Sequence, residues 1–187
     1  MTDRGPLPHR QAWPAMARCV LTSATMLSRR EIRRPREYVG RMIRFGDGSS
    51  GRVYRETRVA RPPEDPCVLV VAFRLRGVRG RGHAWFESVS LLNTPLFVGF
   101  PGFVSKLWLA HDGNGIYRGL YEWDGPQEAE QYARALWRVL ALVSTRGSIH
   151  FRVFPGVRRD DVLTEPGRID GQGLPEGEAW SRVVAAL

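Results

Sequence analysis

PGFVSKLWLAHDGNGIYRGLYEW (residues 101–123) contains two apolar segments around a turn. FVSKLWLA (103–110) and GIYRGLYEW (115–123) are rich in β-branched and aromatic residues, and HDGNG between them has the Gly, Asp and Asn content of a tight connection. The pair predicts a β-hairpin. Side chains alternate between the faces of a strand, so Phe103, Ser105, Leu107 and Leu109 share one face and Val104, Lys106 and Trp108 the other. Register decides what Lys106 meets. An even-numbered loop sets Tyr117, Tyr121 and Trp123 on its face, and an odd one sets Arg118, Leu120 and Glu122 there. The Asp-Gly-Asn-Gly content of the loop favours the even count.

Downstream, Asp124 or Gly125 caps a helix that starts at Pro126, a favoured first-turn residue. Its apolar stripe is Ala129, Tyr132, Ala133, Leu136, Trp137, Leu140 and Val143. SIHFRVF (148–154) then reads as a strand. Upstream, CVLVVAFRL (67–75) is nearly continuous apolar sequence, which suits a strand covered on both faces. HAWFESVSLLN (83–93) places Trp85, Val89 and Leu92 at helical spacing. The order from 67 to 154 is therefore β-α-β-β-α-β. Right-handed crossovers turn it into a four-stranded antiparallel sheet with both helices on one face, a ferredoxin-like α+β layer. Strands apolar on both sides need cover on the far face too. A second copy packed sheet to sheet would supply it, so a homodimer is expected.

Around this domain (62–156) lie three further segments. MIRF, GDGSSG and RVYRETRV form a β-hairpin extension over 42–61, and ARPPEDP (60–66) is a stiff linker. The tail, 157–187, is punctuated by Gly and Pro, with one short helix expected in EGEAWSRVVAAL (176–187). Residues 1–41 read as a basic arm, partly disordered. PAMARCVLTSATML (14–27) has the apolarity of a signal peptide core, but Arg18 interrupts it and no small-residue cleavage site follows.

Charge is unevenly placed. The net +9 sits within residues 1–61, and the remainder is neutral. A basic arm on a neutral body fits an acidic carrier protein or nucleic acid as partner of residues 1–41. The aromatic residues cluster in the neutral body instead of interleaving with those arginines, which weighs against nucleic acid. No stretch approaches the ~18 apolar residues of a membrane helix. Cys19 and Cys67 suggest no disulfide framework, so a reducing cytoplasm is expected. Lys106 is the only lysine; the other cationic residues are arginine, and Ala, Gly and Pro are abundant, as in a GC-rich bacterial genome.

Pro101, Gly102, Phe103, Lys106, Trp108, Gly119 and Tyr121 give the hairpin a resemblance to the dimeric α+β barrel superfamily, and within it to the branch of small monooxygenases with a "PGF..K.W … GGIY.F" hairpin. About half of the chain takes part. The resemblance implies a dimeric ferredoxin-like barrel. It also implies a chemistry drawn from cofactor-free oxygenation, cyclisation, isomerisation or haem degradation. The last expects an axial histidine from the second helix, and none occurs between His111 and His150. His9, His83, His111 and His150 show no metal-ligand spacing, and no hydrolase elbow or phosphate loop is present. No cofactor and no metal are expected.

The candidate site follows from the hairpin. Lys106, beside Trp108 and Tyr121, either lines a site that desolvates its amine or keeps its stem on tryptophan and its charge in water. His83 and Glu87, one helical turn apart, make either a base oriented by a carboxylate or a solvent face. Asn93 donates to a substrate or caps the chain locally. His150 is a lone strand histidine, either structural or on the substrate. Arg79 and Arg81 in GVRGRG receive an anion or merely join two elements. Trp85, Trp108, Phe97 and Phe103 are candidate walls of an aromatic pocket. The reading is a small-molecule enzyme of bacterial secondary metabolism, foremost a cofactor-independent monooxygenase on an aromatic or polyketide-like substrate. In that reading Lys106 and Tyr121 stabilise the substrate anion, and His83 with Glu87 removes a proton. A cyclase or isomerase using the same pocket, and a non-catalytic ligand or nucleic-acid binder, are the alternatives.

Overall fold

The computed structural model describes residues 5–78, 94–172 and 177–187. Along them run α1 (His9–Ser28), β1 (Ile32–Arg33), β2 (Met42–Phe45), β3 (Ser50–Val59), β4 (Pro66–Arg74), β5 (Phe103–Leu109), β6 (Ile116–Asp124), α2 (Pro126–Val143), β7 (His150–Pro155), α3 (Arg159–Thr164) and β8 (Val183–Ala186). Pro126 opens α2 directly after Gly125, which holds a positive φ at the turn out of β6.

β5 and β6 pair in the even register, with Lys106 opposite Tyr121 and Trp108 opposite Gly119. One detail departs from simple alternation. The register shifts between Phe103 and Ser105, so Phe103 stands opposite Trp123 and joins the core on the lysine's side of the sheet. A bulge adds one residue to one strand, and every side chain beyond it changes face.

The sheet runs β7-β4-β6-β5-β3-β2-β8, with β1 added along β3. Its first four strands carry the ferredoxin-like order, and α2 makes the crossover from β6 to β7. The helix expected over 83–93 lies outside the described residues. On one face of the sheet, Leu69, Val71, Tyr121 and Trp123 pack against Ala129, Tyr132, Ala133 and Leu136 of α2. α1 lies on the same side. Its Ala12, Met16, Cys19 and Ser23 are buried at helical spacing, Leu7 N–H donates to the Arg134 carbonyl at 3.1 Å, and Arg138 Nε donates to the Leu7 carbonyl at 2.7 Å. Residues 9–28 thus pack against the body as a helix. Pro14 inside the helix and the arginine run after it hide this from the sequence. Tertiary burial of one stripe outweighs both. Among the described residues no helix is long and apolar enough to cross a membrane.

The far face differs from expectation in what covers it. Val68, Val70, Leu107, Leu109 and Leu120 are essentially inaccessible within a single chain. They pack under Ile43, Phe45 and Val53 of the N-terminal hairpin and Val162, Leu163, Ile169 and Val183 of the tail. The sheet curls round this second core, and the His150 ring comes within 5.7 Å of the Trp180 ring ahead of β8. A second copy is not needed to bury this face, which removes the physical reason for expecting one. The tail also contains a strand where a helix was expected. Residues 179–181 form a single 3₁₀ turn, and β8 pairs with β2, its flanking Leu187 exchanging hydrogen bonds of 2.9 Å with Met42. Short apolar runs such as VVAA carry no decisive period, and an open sheet edge captures them.

Both faces of β3 are covered, so Arg55, Glu56 and Thr57 are all buried. On the curled side, Arg159 is inaccessible and pairs with Glu56 at 3.0 Å and Asp160 at 2.8 Å. This ion pair ties α3 to the sheet.

Candidate functional site

A cavity of about 350 Å³ opens between the outer sheet face and α2. Its floor comes from β5 and β6, through Lys106, Trp108, Tyr117, Gly119 and Tyr121. Its walls are Tyr54 of β3, Phe73 of β4, Leu96 and Phe97, and the α2 side chains Tyr132, Leu136, Val139 and Leu140. Aromatic rings dominate. Phe97 meets Trp108 edge-on at 5.3 Å and Tyr121 at 6.4 Å, and Tyr121 lies 5.6 Å from Tyr132.

Lys106 Nζ sits among these rings, 3.2 Å from the Trp108 ring centre and 4.6 Å from those of Phe97 and Tyr121. Its residue is only 6% exposed. Among the described residues no carboxylate pairs with it. Burial, and then the positive charge of Arg55, hold its amine well below the usual lysine range. The ring faces attract the ammonium form, but do not replace the lost hydration. The alternative, a stem on tryptophan with the charge in water, does not fit this position, since β5 lies between β3 and β6 and the residue is buried.

Tyr121 is held in its phenol form because burial pushes its hydroxyl upward. Tyr132 Oη donates to Tyr121 Oη at 3.5 Å. Gly119 is what seats this ring. A Cβ there would lie 2.6 Å from Tyr121 Cε2 and 3.0 Å from its Cζ, well inside contact distance. Phe97 is set by α1. Ser23 Oγ donates to the Pro95 carbonyl at 3.0 Å and accepts from Gly99 N–H at 2.8 Å. At Gly99 the helix comes so close that a Cβ would meet the Cys19 carbonyl oxygen at 2.2 Å.

The structure therefore gathers Lys106, Trp108, Tyr121 and Phe97 at one cavity. Phe103 stands one layer behind, its ring 5.1 Å from Phe97. His150 does not belong to this site. It pairs with Ala72 on the curled side of the sheet and lines another cleft with Arg118 and Trp180. His83, Glu87, Trp85, Asn93, Arg79 and Arg81 lie outside the described residues.

Sequence reasoning missed Tyr132 as a site residue, reading it as helix core, and it missed Arg55 altogether. Arg55 stands in register with Trp108 across β3 and β5, its guanidinium carbon 4.7 Å from the indole centre. Its Nη2 donates to Thr94 Oγ1. Among the described residues Nε and Nη1 have no hydrogen-bond partner. Burial lowers its pKa to about 10, which leaves it charged at neutral pH. The usable signal was the alternation of the 52–59 strand, but that gives no partner strand. Among the described residues no cluster of His, Cys, Asp and Glu is arranged to hold a metal ion.

Two solved structures are similar to part of this chain. One is an uncharacterized ferredoxin-fold protein related to antibiotic biosynthesis monooxygenases from Listeria monocytogenes 4b F2365, 14% identical over 58% of this chain and 64% of that one, with a TM-score of 0.43. The other is an anthrone oxidase-like protein, 17% identical over 59% of this chain and 55% of that one, with a TM-score of 0.38. The match thus spans less than two thirds of either structure. No protein-family model matches the chain, and no curated protein does either.

Proposed function

We propose that the protein is a small-molecule enzyme, a cofactor-independent monooxygenase that binds an electron-rich aromatic or polyketide-like substrate in the cavity above Trp108. The observation that carries this reading is the buried, unpaired amine of Lys106 in an aromatic cavity. An amine whose proton is loosened by burial can serve as a base, and the ammonium it becomes is a counter-ion.

In this mechanism a phenol or enol O–H of the substrate gives its proton to Lys106 Nζ. The resulting oxyanion is held by the new ammonium and by the Tyr121 hydroxyl, both in a low-dielectric setting where such contacts count most. Delocalised onto carbon, that electron pair reduces dioxygen in two steps. One electron passes first, the radical pair joins as a carbon–oxygen bond, and the hydroperoxide loses water. For a methylene carbon the balance is CH₂ + O₂ → C=O + H₂O, with one oxygen atom kept by the product. The rings of Trp108, Phe97 and Tyr132 exclude water and fix the substrate plane. His83, oriented by Glu87, is the second candidate for taking the proton.

The test is turnover of an anthrone, whose methylene tautomerises to an electron-rich phenol, under ¹⁸O₂. The reading expects one labelled oxygen in the quinone at a rate that falls about 10²–10³-fold in Lys106→Met. Oxygen uptake that is the same with and without protein, or unchanged in that variant, contradicts it. Conversion of a polyketide-like substrate without oxygen uptake moves the assignment to cyclisation or isomerisation in the same cavity.

A further inference from the structure

On the curled side, a cleft of about 410 Å³ opens where β4 ends and β6 and β7 begin. Ala72 stands between Arg118 and His150 across the three strands, and Arg74 opposite Ile116 forms the next row. Alternation puts these five side chains on one face. The depression is due to Ala72, whose methyl reaches none of the height of its two long neighbours. One wall is the turn from α2 to β7. Its Thr145 N–H donates to the Arg74 carbonyl at 2.8 Å, and Ser148 Oγ accepts from the Arg74 N–H at 3.2 Å. The turn is thereby pinned to the end of β4, and Arg146 at its tip lines the cleft together with Arg74. The opposite wall is the half-buried Trp180, its ring 5.7 Å from that of the exposed His150 at 49°. Arg118 is buried and bound to Asp112 at 2.8 Å and Asp47 at 3.1 Å. The accessible guanidiniums are therefore those of Arg74 and Arg146, both exposed.

We infer that this cleft is a ligand site for a nucleoside monophosphate, with the base against Trp180 and His150 and the phosphate between Arg74 and Arg146. Its volume lies within the range of small-molecule pockets. Indole and imidazole offer flat faces to a base, and stacking of this kind tolerates any base. Guanidiniums present planar forks of N–H donors that match phosphate oxygens. Arg74 lies two residues beyond Ala72, so the cationic end stands roughly 7 Å along the strand from the ring wall, a gap for a sugar to bridge. The Thr145 side chain lies on the wall beside that gap and offers a hydroxyl. Asp47 is the carboxylate among the described lining residues; it is tied to Arg118 and does not cancel Arg74 and Arg146. The cleft lies on the opposite face of the sheet from the Lys106 cavity, and the inference does not depend on oxygenase chemistry there.

Isothermal titration of the unaltered full-length protein with AMP, adenosine and inorganic phosphate tests this. AMP should bind at least about tenfold more tightly than adenosine, the order expected of hydrogen bonds between charged groups. It should also bind at least about tenfold more tightly than phosphate, because the ring adds stacking. The double variant Arg74→Gln with Arg146→Gln changes two exposed residues and should bring AMP down to the level of adenosine. Trp180→Leu should bring it down to the level of phosphate. The central comparison uses no variant, so a poorly folding Trp180→Leu does not shield the proposal. AMP binding no tighter than adenosine overturns it, as does failure of AMP to bind at millimolar concentration. Phosphate binding as tightly as AMP overturns it too, since the rings then take no part. A preference for AMP that survives the double arginine variant shows that the nucleotide sits elsewhere and overturns the assignment to this cleft.

Discussion

Replacing Lys106 with Met should make the protein more stable and less active. Nζ is enclosed by three rings, the nearest centre 3.2 Å away, and no carboxylate among the described residues answers it. Met has similar length and no charge to desolvate. Exchanging unfavourable buried ionic groups for apolar ones of similar size gains about 1–4 kcal/mol. The cation–π attraction lost is worth about 2 kcal/mol when desolvated, which places the net toward the lower end. A chain of this length shifts by roughly 2–4 °C per kcal/mol. The sign with pH follows from linkage. The folded amine holds its proton less tightly than the unfolded one, whose pKa is about 10.4, so the wild-type penalty is greatest at low pH and fades as pH rises to that value. Urea denaturation of both proteins near about pH 7 and about pH 10 reads this directly. The expected result is a gain in Lys106→Met that shrinks at the higher pH. A variant destabilised by more than about 1 kcal/mol at neutral pH, or a gain independent of pH, would refute the account of a costly, unpaired amine.

Three further outcomes are expected. Gly119→Ala drives a methyl into the Tyr121 ring, costing about 1–3 kcal/mol and displacing its hydroxyl from the cavity, which a denaturation curve and a ligand titration would each detect. Arg159→Met leaves Glu56 on the curled side with only its 3.4 Å pair to Arg58 and should lower stability by less than the about 3–5 kcal/mol of a fully stranded charge, whereas the double variant with Glu56→Gln should recover part of that loss in the same assay. The exposed arginines 29, 30, 33, 34 and 36 are proposed to meet an acidic carrier protein or nucleic acid. Changing all five to Gln should abolish any binding of a labelled oligonucleotide that weakens steeply with salt, and salt-independent binding would contradict an electrostatic contact.

Much of the fold was legible because alternation and helical spacing agree along residues 67–75 and 103–154. The hairpin register followed from the loop composition, which is a local property. The cover on the far face was not legible. Val68, Val70 and Leu120 announce that they are buried, but nothing in their pattern says whether a second copy or residues 43, 53 and 162 of the same chain bury them. Long-range closure is decided by the whole chain. Phe103 shows a smaller version of the problem: one bulge, invisible in the sequence, moved it to the lysine's side. At the site, Lys106, Trp108 and Tyr121 were readable from one hairpin. Arg55 was not, because its role arises only when β3 is laid beside β5.

The most direct test of the central claim, that Lys106 takes a proton from an aromatic ligand in this cavity, is the pH dependence of anthrone turnover. The account predicts a rate that rises as one group loses its proton below the usual lysine range, a step that disappears with Lys106→Met. A wild-type rate without that step, or a step retained in the variant, would contradict it.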